Sequence, residues 1–438
     1  MNHELRRKLK HSLALVVWVF VLNVLDLAVI WTTRRRGTSC GRKRILFVRP
    51  DAIGDFVVWL PAAEAWCRAL HDEDNCHVTV LTHHACADLA SKLGYFDQAW
   101  PLDVGKFRSN LVYRLRIMAR IRRAGFHATY YPVHSRDFVT GDSIVRVSGA
   151  PQRVGSEACT ARMLRLQKWL SDGWYTHLVP AGTTTDSELH RNAAFLSGIG
   201  IRTSVRRYPS LPPLGAPPEQ LKGQTYYVLF PGALKEYRCW PADRFAELAR
   251  RIHEQTGWIG ILCGAGHERN LCSRIIDEAG VAARNLAGET TICELAEVMR
   301  SARIVVSNET GAAHLAAAVD TPCICILGGG QFGRFVPYPG PDDAPPNSLL
   351  PIYEPMDCFG CVWKCIYPRA PGAACRCIEA VSVERIWSAV MRTIARIELP
   401  SKCTSSDARA ISSCQRADAL GGTLEETLGR HRPLTVVD

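Results

Sequence analysis

The segment 303–327, RIVVSNETGAAHLAAAVDTPCICIL, holds a compact group of polar side chains that could bind a ligand. It predicts a buried strand, a polar turn, a helix of small residues and a second strand. In a parallel α/β sheet such a turn forms a crevice whose free backbone N–H groups favour a phosphate. The turn and the start of its helix carry Asn308, Glu309, Thr310, Gly311 and His314. Thr310 could instead be only an N-cap, and His314 only a supporting polar residue.

A second turn of this form is RPDAIGD at 49–55, in which Arg49 ends a short apolar strand. Gly54 would permit a sharp bend, and Asp55 would lie at the amino end of the following helix. A carboxylate there stays ionised and could accept a proton from an incoming hydroxyl. The alternative for Asp55 is again a simple N-cap.

A third turn is FPGALKEYRCWPADRF at 230–245. Gly232 and Ala233 follow a predicted strand, and Lys235 and Arg238 lie in the loop. Flexible cations above a helix amino terminus suit a diphosphate, because they neutralise the charge that grows on a departing phosphate. Solvated loop charges are the alternative. Neither half of the chain has a GxGxxG turn after its first strand or a GxxxxGK[ST] loop, which disfavours a nicotinamide dehydrogenase or a P-loop enzyme.

Strands and helices alternate on both sides of a proline-rich stretch, PSLPPLGAPP, at 209–218. Alternation of this kind predicts parallel βαβ units, and the prolines suit a linker. We therefore predict two Rossmann-like domains facing a cleft, at 44–210 and 225–398, joined by a linker at 211–224. The polar, aperiodic segment 399–438 is predicted to be a disordered tail.

The amino-terminal segment 1–43 departs from globular composition. Basic clusters at 6–10 and 34–36 flank an apolar run at 13–31, which is close to the roughly 20 residues that span a bilayer. Asn23 and Asp26 interrupt the run on one helical face, so a helix lying on the membrane is an alternative to one that crosses it. We predict a membrane anchor.

The composition of the chain indicates which kinds of ligand and which compartment to expect. The net charge of +11 is spread over a chain of 438 residues, which favours acidic ligands such as phosphates or anionic lipids. The sequence has no basic stripe interleaved with aromatic residues and no zinc-finger spacing, so it does not indicate binding of nucleic acid. Most of the 18 cysteines stand singly in apolar segments, which is typical of a reducing compartment, so we expect a cytosolic catalytic body.

Five cysteines are the exception, because they lie close together in CFGCVWKCIYPRAPGAACRC: Cys358, Cys361, Cys365, Cys375 and Cys377. Their spacing could hold structural zinc or an iron–sulfur cluster. Reduced thiols or a redox-sensitive pair are the alternative, and disulfides would require an oxidising compartment.

Taken in order, these motifs resemble those of glycosyltransferase family 9, the lipopolysaccharide heptosyltransferases, over about 44–390. Gly54, Asp55 and the following Leu-Pro-Ala resemble the family's first turn, and Pro-Gly-Ala closing in Trp-Pro at 231–241 resembles its second. Glu309, Thr310, Gly311 and His314 resemble its Asp-Thr-Gly-x-x-His signature. The chain departs from the family at Glu309, at Gly266 and in GGGQFGRF at 328–335.

The resemblance implies a GT-B fold and a metal-independent, inverting hexosyl- or heptosyltransferase, with no cofactor required and with Asp55 as base. It implies a nucleoside-diphosphate sugar, such as ADP-heptose, on the second domain, bound by residues of the last two motifs: Gly232, Ala233, Lys235, Arg238, Glu309, Thr310, Gly311 and His314. It places a lipid-linked glycan acceptor, such as the lipopolysaccharide core, on the first domain beside Arg49 and Gly54. Together with the predicted anchor, it leads us to expect the enzyme at the cytoplasmic face of a bacterial inner membrane. The alternative is a non-catalytic, membrane-associated protein that binds a nucleotide sugar and uses the cysteine cluster as a metal or redox module.

Overall fold

Two six-stranded sheets, each with all its strands parallel, carry the fold. A computed structural model describes residues 3–35, 41–74, 76–157, 163–180, 187–338 and 349–398. The predicted tail at 399–438 lies outside these residues.

The first sheet has the order β3-β2-β1-β4-β5-β6. Its strands are β1 (Arg44–Arg49), β2 (His77–His83), β3 (Gln98–Leu102), β4 (Ala128–Tyr131), β5 (Gln152–Ser156) and β6 (His177–Val179). The second sheet has the order β12-β11-β10-β7-β8-β9. Its strands are β7 (Tyr226–Phe230), β8 (Ile259–Leu262), β9 (Ala283–Asn285), β10 (Val305–Asn308), β11 (Cys323–Ile326) and β12 (Leu349–Ile352).

Helices connect these strands. In the described part of the chain they are α1 (His3–Thr32), α2 (Ile53–Asp74), α3 (Ala87–Lys92), α4 (Val104–Ser109), α5 (Leu111–Ala124), α6 (Ser143–Ser148), α7 (Arg165–Asp172), α8 (Glu188–Gly198), α9 (Ala242–Thr256), α10 (Arg269–Ala279), α11 (Ile292–Arg300), α12 (Gly311–Ala318), α13 (Arg376–Glu379) and α14 (Val383–Glu398). A π-helical turn at Phe138–Asp142 precedes α6.

The central strands are apolar on both faces because helices cover both faces of a parallel sheet. Phe47 of β1 is fully buried against Trp66 of α2, with ring centroids 4.4 Å apart. The prediction of two parallel α/β domains is therefore confirmed. Their exact boundaries and the linker stay a prediction, although a short 3-10 turn at Glu219–Leu221 is the regular element found between α8 and β7 in the described residues.

The predicted membrane anchor at 1–43 is not supported in its membrane-spanning form. None of the described helices combines the length and the apolar character needed to cross a bilayer. The helix α1 packs instead on α5 and α6 of the first domain. Asp26, which interrupts its apolar run, is 1% exposed and accepts hydrogen bonds from the guanidinium of Arg114 at 2.8 and 2.5 Å. Burial raises the pKa of Asp26 despite this ion pair, so the arginine offsets only part of the cost of desolvation.

Candidate functional site

The predicted turns follow the strands at which each sheet reverses its order. In the first sheet β1 lies between β2 and β4, and in the second β7 lies between β8 and β10. In open α/β sheets, ligands bind at the carboxyl ends of strands at such points. The turn at 49–55 follows β1, the loop at 231–241 follows β7, and the turn at 309–311 follows β10. The fold thus brings the three motifs to the two places where this architecture binds ligands.

The first and third motifs touch each other through two glycines. A Cβ atom built on Gly54 would lie 3.2 Å from Cα of Gly311 and 3.3 Å from Cδ2 of His314. A Cβ atom on Gly311 would lie 2.9 Å from the backbone nitrogen of Gly54. Gly311 therefore needs to be glycine so that the amino ends of α2 and α12 can approach each other closely, and a Cβ atom on Gly54 would press against the same contact.

A cavity of about 200 Å³ adjoins this contact on the first domain. Its polar lining comes from several elements: Arg49, Asp51, Asp55, Arg108, His134, Ser135, Asp137, Thr140, Glu188 and Arg334. Burial, together with the charges of Asp51 and Glu188, raises the pKa of Asp55 from 3.8 to about 6. Asp55 is therefore ionised at neutral pH and is a stronger proton acceptor than an ordinary aspartate.

Arg49 lines this cavity and is held by contacts to three neighbouring residues. Its guanidinium donates hydrogen bonds to the carbonyl oxygens of Pro132 at 2.8 Å and Asp55 at 3.1 Å, and its Nε lies 3.0 Å from Oδ2 of Asp51. The side chain is 3% exposed. Arg49 thus fixes the backbone that carries Asp55, and the prediction that it also binds the acceptor remains a prediction.

Sequence reasoning missed an ion pair that links the two domains. Nε of Arg334 donates to Oε1 of Glu188 at 2.7 Å, and the backbone nitrogen of Glu188 donates to the carbonyl oxygen of Arg334 at 2.8 Å. Burial alone would raise the pKa of Glu188, but the attraction of Arg334 and Arg191 outweighs it and lowers that pKa. The partners are 146 positions apart, so no local pattern could have paired them. The nearest signal was the departure of GGGQFGRF from the family's pattern.

On the second domain, Asn308 ties the loop after β7 to the end of β10. Its side-chain amide donates to the carbonyl oxygen of Pro231 at 2.7 Å, and its Oδ1 accepts from the backbone nitrogen of Trp240 at 3.0 Å. Arg238 donates to the carbonyl oxygen of Glu309 at 3.2 Å and lies 4.6 Å above the ring of Trp363. The guanidinium is therefore held over the carboxyl end of β10.

Glu309 is 5% exposed. Burial raises the pKa of its carboxyl to about 7, with only a partial opposing effect from Arg238, whose terminal nitrogen lies 4.0 Å from Oε2. That oxygen is buried without a hydrogen bond. Glu309 thus changes its ionisation near neutral pH.

Two further residues of the predicted donor site, Thr310 and His314, lie at the start of α12. Thr310 caps α12 by accepting from the backbone nitrogen of Ala312 at 3.3 Å. His314 is 3% exposed, and its Nδ1 lies 2.7 Å from the hydroxyl of Tyr338. Burial lowers the pKa of His314 to about 4. It is therefore neutral at neutral pH and adds no positive charge to a phosphate site.

Beside the loop after β7, a buried glutamate fills the space next to two glycines. A Cβ atom on Gly232 would lie 1.9 Å from Oε1 of Glu268, and one on Gly264 would lie 2.7 Å from its Oε2. Oε2 accepts from the backbone nitrogen of Ala265 at 2.7 Å. Sequence reasoning did not single out Glu268, which lies in the segment CGAGHER at 263–269, directly after β8. Of the loop residues, Lys235 is exposed and Ala233 is half-buried.

The predicted zinc or iron–sulfur site is not supported. Among the described residues, which include all five clustered cysteines, no group of three or more His, Cys, Asp or Glu side chains is placed to hold a metal ion. These cysteines are free thiols. Burial and the neighbouring thiols of Cys365 and Cys377 raise the pKa of Cys375 to about 11, so this thiol is protonated at neutral pH.

Comparison with known proteins agrees with this geometry. The model of glycosyltransferase family 9 (heptosyltransferase) matches residues 144–344. Lipopolysaccharide heptosyltransferase 3 of Escherichia coli is 26% identical over 169 residues, which are 35% of this chain and 47% of that protein. Lipopolysaccharide heptosyltransferase 1 of Pseudomonas aeruginosa is 23% identical over 335 residues, which are 72% of this chain and 89% of that protein.

Among solved structures, E. coli heptosyltransferase WaaC with ADP superposes with a TM-score of 0.55 at 18% identity, covering 81% of this chain and 98% of that one. A likeness at this identity shows the shared two-domain fold. Together these findings confirm the predicted resemblance to glycosyltransferase family 9 and its heptosyltransferases.

Proposed function

We propose that this protein is an inverting glycosyltransferase that moves heptose or a related sugar from a nucleoside diphosphate to the lipopolysaccharide core or a similar glycan. The observation that carries the proposal is the position of Asp55. Its carboxylate lies in a cavity at the switch point of the first sheet, beside the glycine contact that joins it to the switch point of the second.

The chemistry follows from this arrangement. Asp55 takes the proton of an acceptor hydroxyl, the oxygen attacks the anomeric carbon, and the bond from that carbon to the diphosphate breaks on the opposite face. Arg238 and the amino end of α12 supply positive charge to the departing diphosphate. The relatives that transfer heptose, and the likeness to a structure with ADP, support ADP-heptose as the donor to test first. We place the reaction at the cytoplasmic face of a bacterial inner membrane, where a lipid-linked acceptor would be presented.

Thermal unfolding with and without ADP, combined with a transfer assay, tests the proposal. A ligand that binds only the folded state raises the melting temperature by mass action. We expect ADP to stabilise the wild type, Asp55→Asn and the exposed control Arg202→Ala, but not Arg238→Ala. Asp55→Asn should lose transfer, since loss of a general base typically costs about 10²–10⁴ in rate.

Transfer by Asp55→Asn at the wild-type rate would contradict the assignment of the base. Stabilisation by ADP-heptose in a wild-type protein without any turnover would favour the non-catalytic binding protein. The metal module of that alternative has no support in the described part of the chain.

A further inference from the structure

The outer face of α1 is an exposed apolar stripe. Its inner face is buried through Leu22, Asp26 and Val29 against the first domain. On the opposite side four large side chains lie at helical spacing, and they are Val17 (53% exposed), Phe20 (67%), Val24 (48%) and Trp31 (83%). Spacings of three, four and seven residues place them on one face. An apolar stripe of this length on a helix already packed by its other face marks an interaction surface.

The exposed charged side chains of residues 17–35 and of the neighbouring helix α5 have one sign. The neighbouring helix α5 exposes Val112, which is 57% exposed, together with Arg116, Arg120 and Arg123. Arg34 is exposed just after the end of α1. The sequence of α5 contains no acidic residue, and Asp26, the one acid between residues 17 and 35, is buried in its ion pair with Arg114. We name the exposed side chains of 17–34 and of α5 the basic apolar face.

The basic apolar face lies next to the cavity that holds Asp55. Nε1 of Trp18 donates to the carbonyl oxygen of Arg108 at 2.9 Å. The guanidinium of Arg108, which lines the cavity, contacts Oδ2 of Asp137 at 2.9 Å and Oγ1 of Thr140 at 2.9 Å. One hydrogen bond therefore connects α1 to the wall of the cavity, two residues from Phe20.

We propose that the basic apolar face lies on an anionic lipid bilayer, with its apolar side chains in the headgroup region and its arginines against lipid phosphates. Interfacial helices combine an apolar face with a basic rim and bind without crossing the membrane. A second copy of this chain fits less well, because a two-fold contact would bring the same arginines together. The lipid contact stands independently of catalysis. Its role in presenting an acceptor to Asp55 rests on the proposed function.

Co-sedimentation of the full chain with phosphatidylethanolamine vesicles that contain or lack phosphatidylglycerol tests the face. We expect the wild type to sediment with the anionic vesicles and to be released by salt, since basic residues near an anionic surface each contribute roughly fivefold in binding. Phe20→Asp should bind at least about tenfold more weakly, because it removes a large apolar side chain from the interface. The matched control is Ile366→Asp, which changes an apolar residue that is 72% exposed on the second domain.

A second pair of variants tests the charge without touching packed side chains. Arg116→Glu should weaken binding to anionic vesicles by at least about fivefold, whereas Arg202→Glu, the same charge change at an exposed residue after α8, should not. The melting temperature of each variant with ADP reports folding and donor binding separately from lipid binding.

Failure of the wild type to bind anionic vesicles would overturn the proposal, as would equal binding by Phe20→Asp and Ile366→Asp. A wild-type dimer that Phe20→Asp dissociates would assign the face to a second copy instead. If the wild type binds anionic vesicles but shows no sugar transfer, the proposed function is refuted and the lipid contact still stands.

Discussion

Replacing Asp55 by asparagine is expected to abolish transfer and, at the same time, to stabilise the fold. The pKa of the Asp55 carboxyl is raised from 3.8 to about 6 by burial and by the negative charges of Asp51 and Glu188. A raised pKa means that ionisation of this carboxyl is less favourable in the folded protein than in the unfolded chain. The carboxylate that we propose as the general base is therefore held in place at a cost in stability.

The size of the cost follows from linkage. Each pKa unit is worth about 1.4 kcal/mol, so ionised Asp55 destabilises the fold by about 3 kcal/mol. The destabilisation begins as pH rises through 3.8, where the unfolded chain ionises, and is complete above about 6, where the folded protein has ionised too. Asparagine is neutral and carries no such cost. In a chain of this size, 3 kcal/mol corresponds to a rise of roughly 3–6 °C in melting temperature.

The assay is thermal unfolding at pH 8 of the wild type, Asp55→Asn and Glu188→Gln. Glu188 lines the same cavity, but the attraction of its arginines lowers its pKa below 4.5 despite its burial. Its ionised form stabilises the fold at pH 8, so Glu188→Gln should melt below the wild type. If Asp55→Asn also melts at or below the wild-type temperature, the reasoning about Asp55 is refuted.

Three further outcomes can be measured. Arg334→Gln removes a positive charge that lowers the pKa of Asp55, so the acidic limb of the pH–rate profile should move up by about one unit; an unmoved limb contradicts this. Gly311→Ala places a Cβ atom 2.9 Å from the nitrogen of Gly54. The rate of transfer should then fall by about 10²-fold, because a small misplacement of reacting groups costs about this much, while calorimetry should still detect ADP binding. When ADP binds to the wild type at pH 7, Glu309 should take up protons. The binding enthalpy measured by calorimetry should therefore depend on the buffer, and Glu309→Gln should abolish this dependence.

Local sequence pattern was sufficient for the two sheets and for the three turns. Apolar strands that alternate with helical segments predict parallel βαβ units, and a glycine between a strand and a helix predicts a ligand-binding turn. That logic placed Asp55 after β1 and Glu309 after β10. It needed no information about distant contacts.

Contacts between distant residues account for what was missed. The length and hydropathy of α1 suggested an anchor, but its placement depends on Arg114, which is 88 positions from Asp26. The pairing of Glu188 with Arg334 joins two domains across 146 positions of sequence, so no local pattern predicts it. The clustered cysteines show the converse, since close spacing in sequence did not produce a set of metal ligands in the described chain.

The buried acids differ in how fully an arginine offsets their burial. Attraction to arginines lowers the pKa of Glu188. Burial raises the pKa of Asp55 to about 6 and that of Glu309 to about 7, and it also raises the pKa of Asp26 despite the hydrogen bonds from Arg114. Asp55 and Glu309 lie at the switch points of the two sheets, on opposite sides of the glycine contact. Perturbed carboxylates occur at functional sites and also in structural ion pairs, so it is the position of these two at the switch points, and not their pKa values alone, that agrees with the cleft indicated by the motifs.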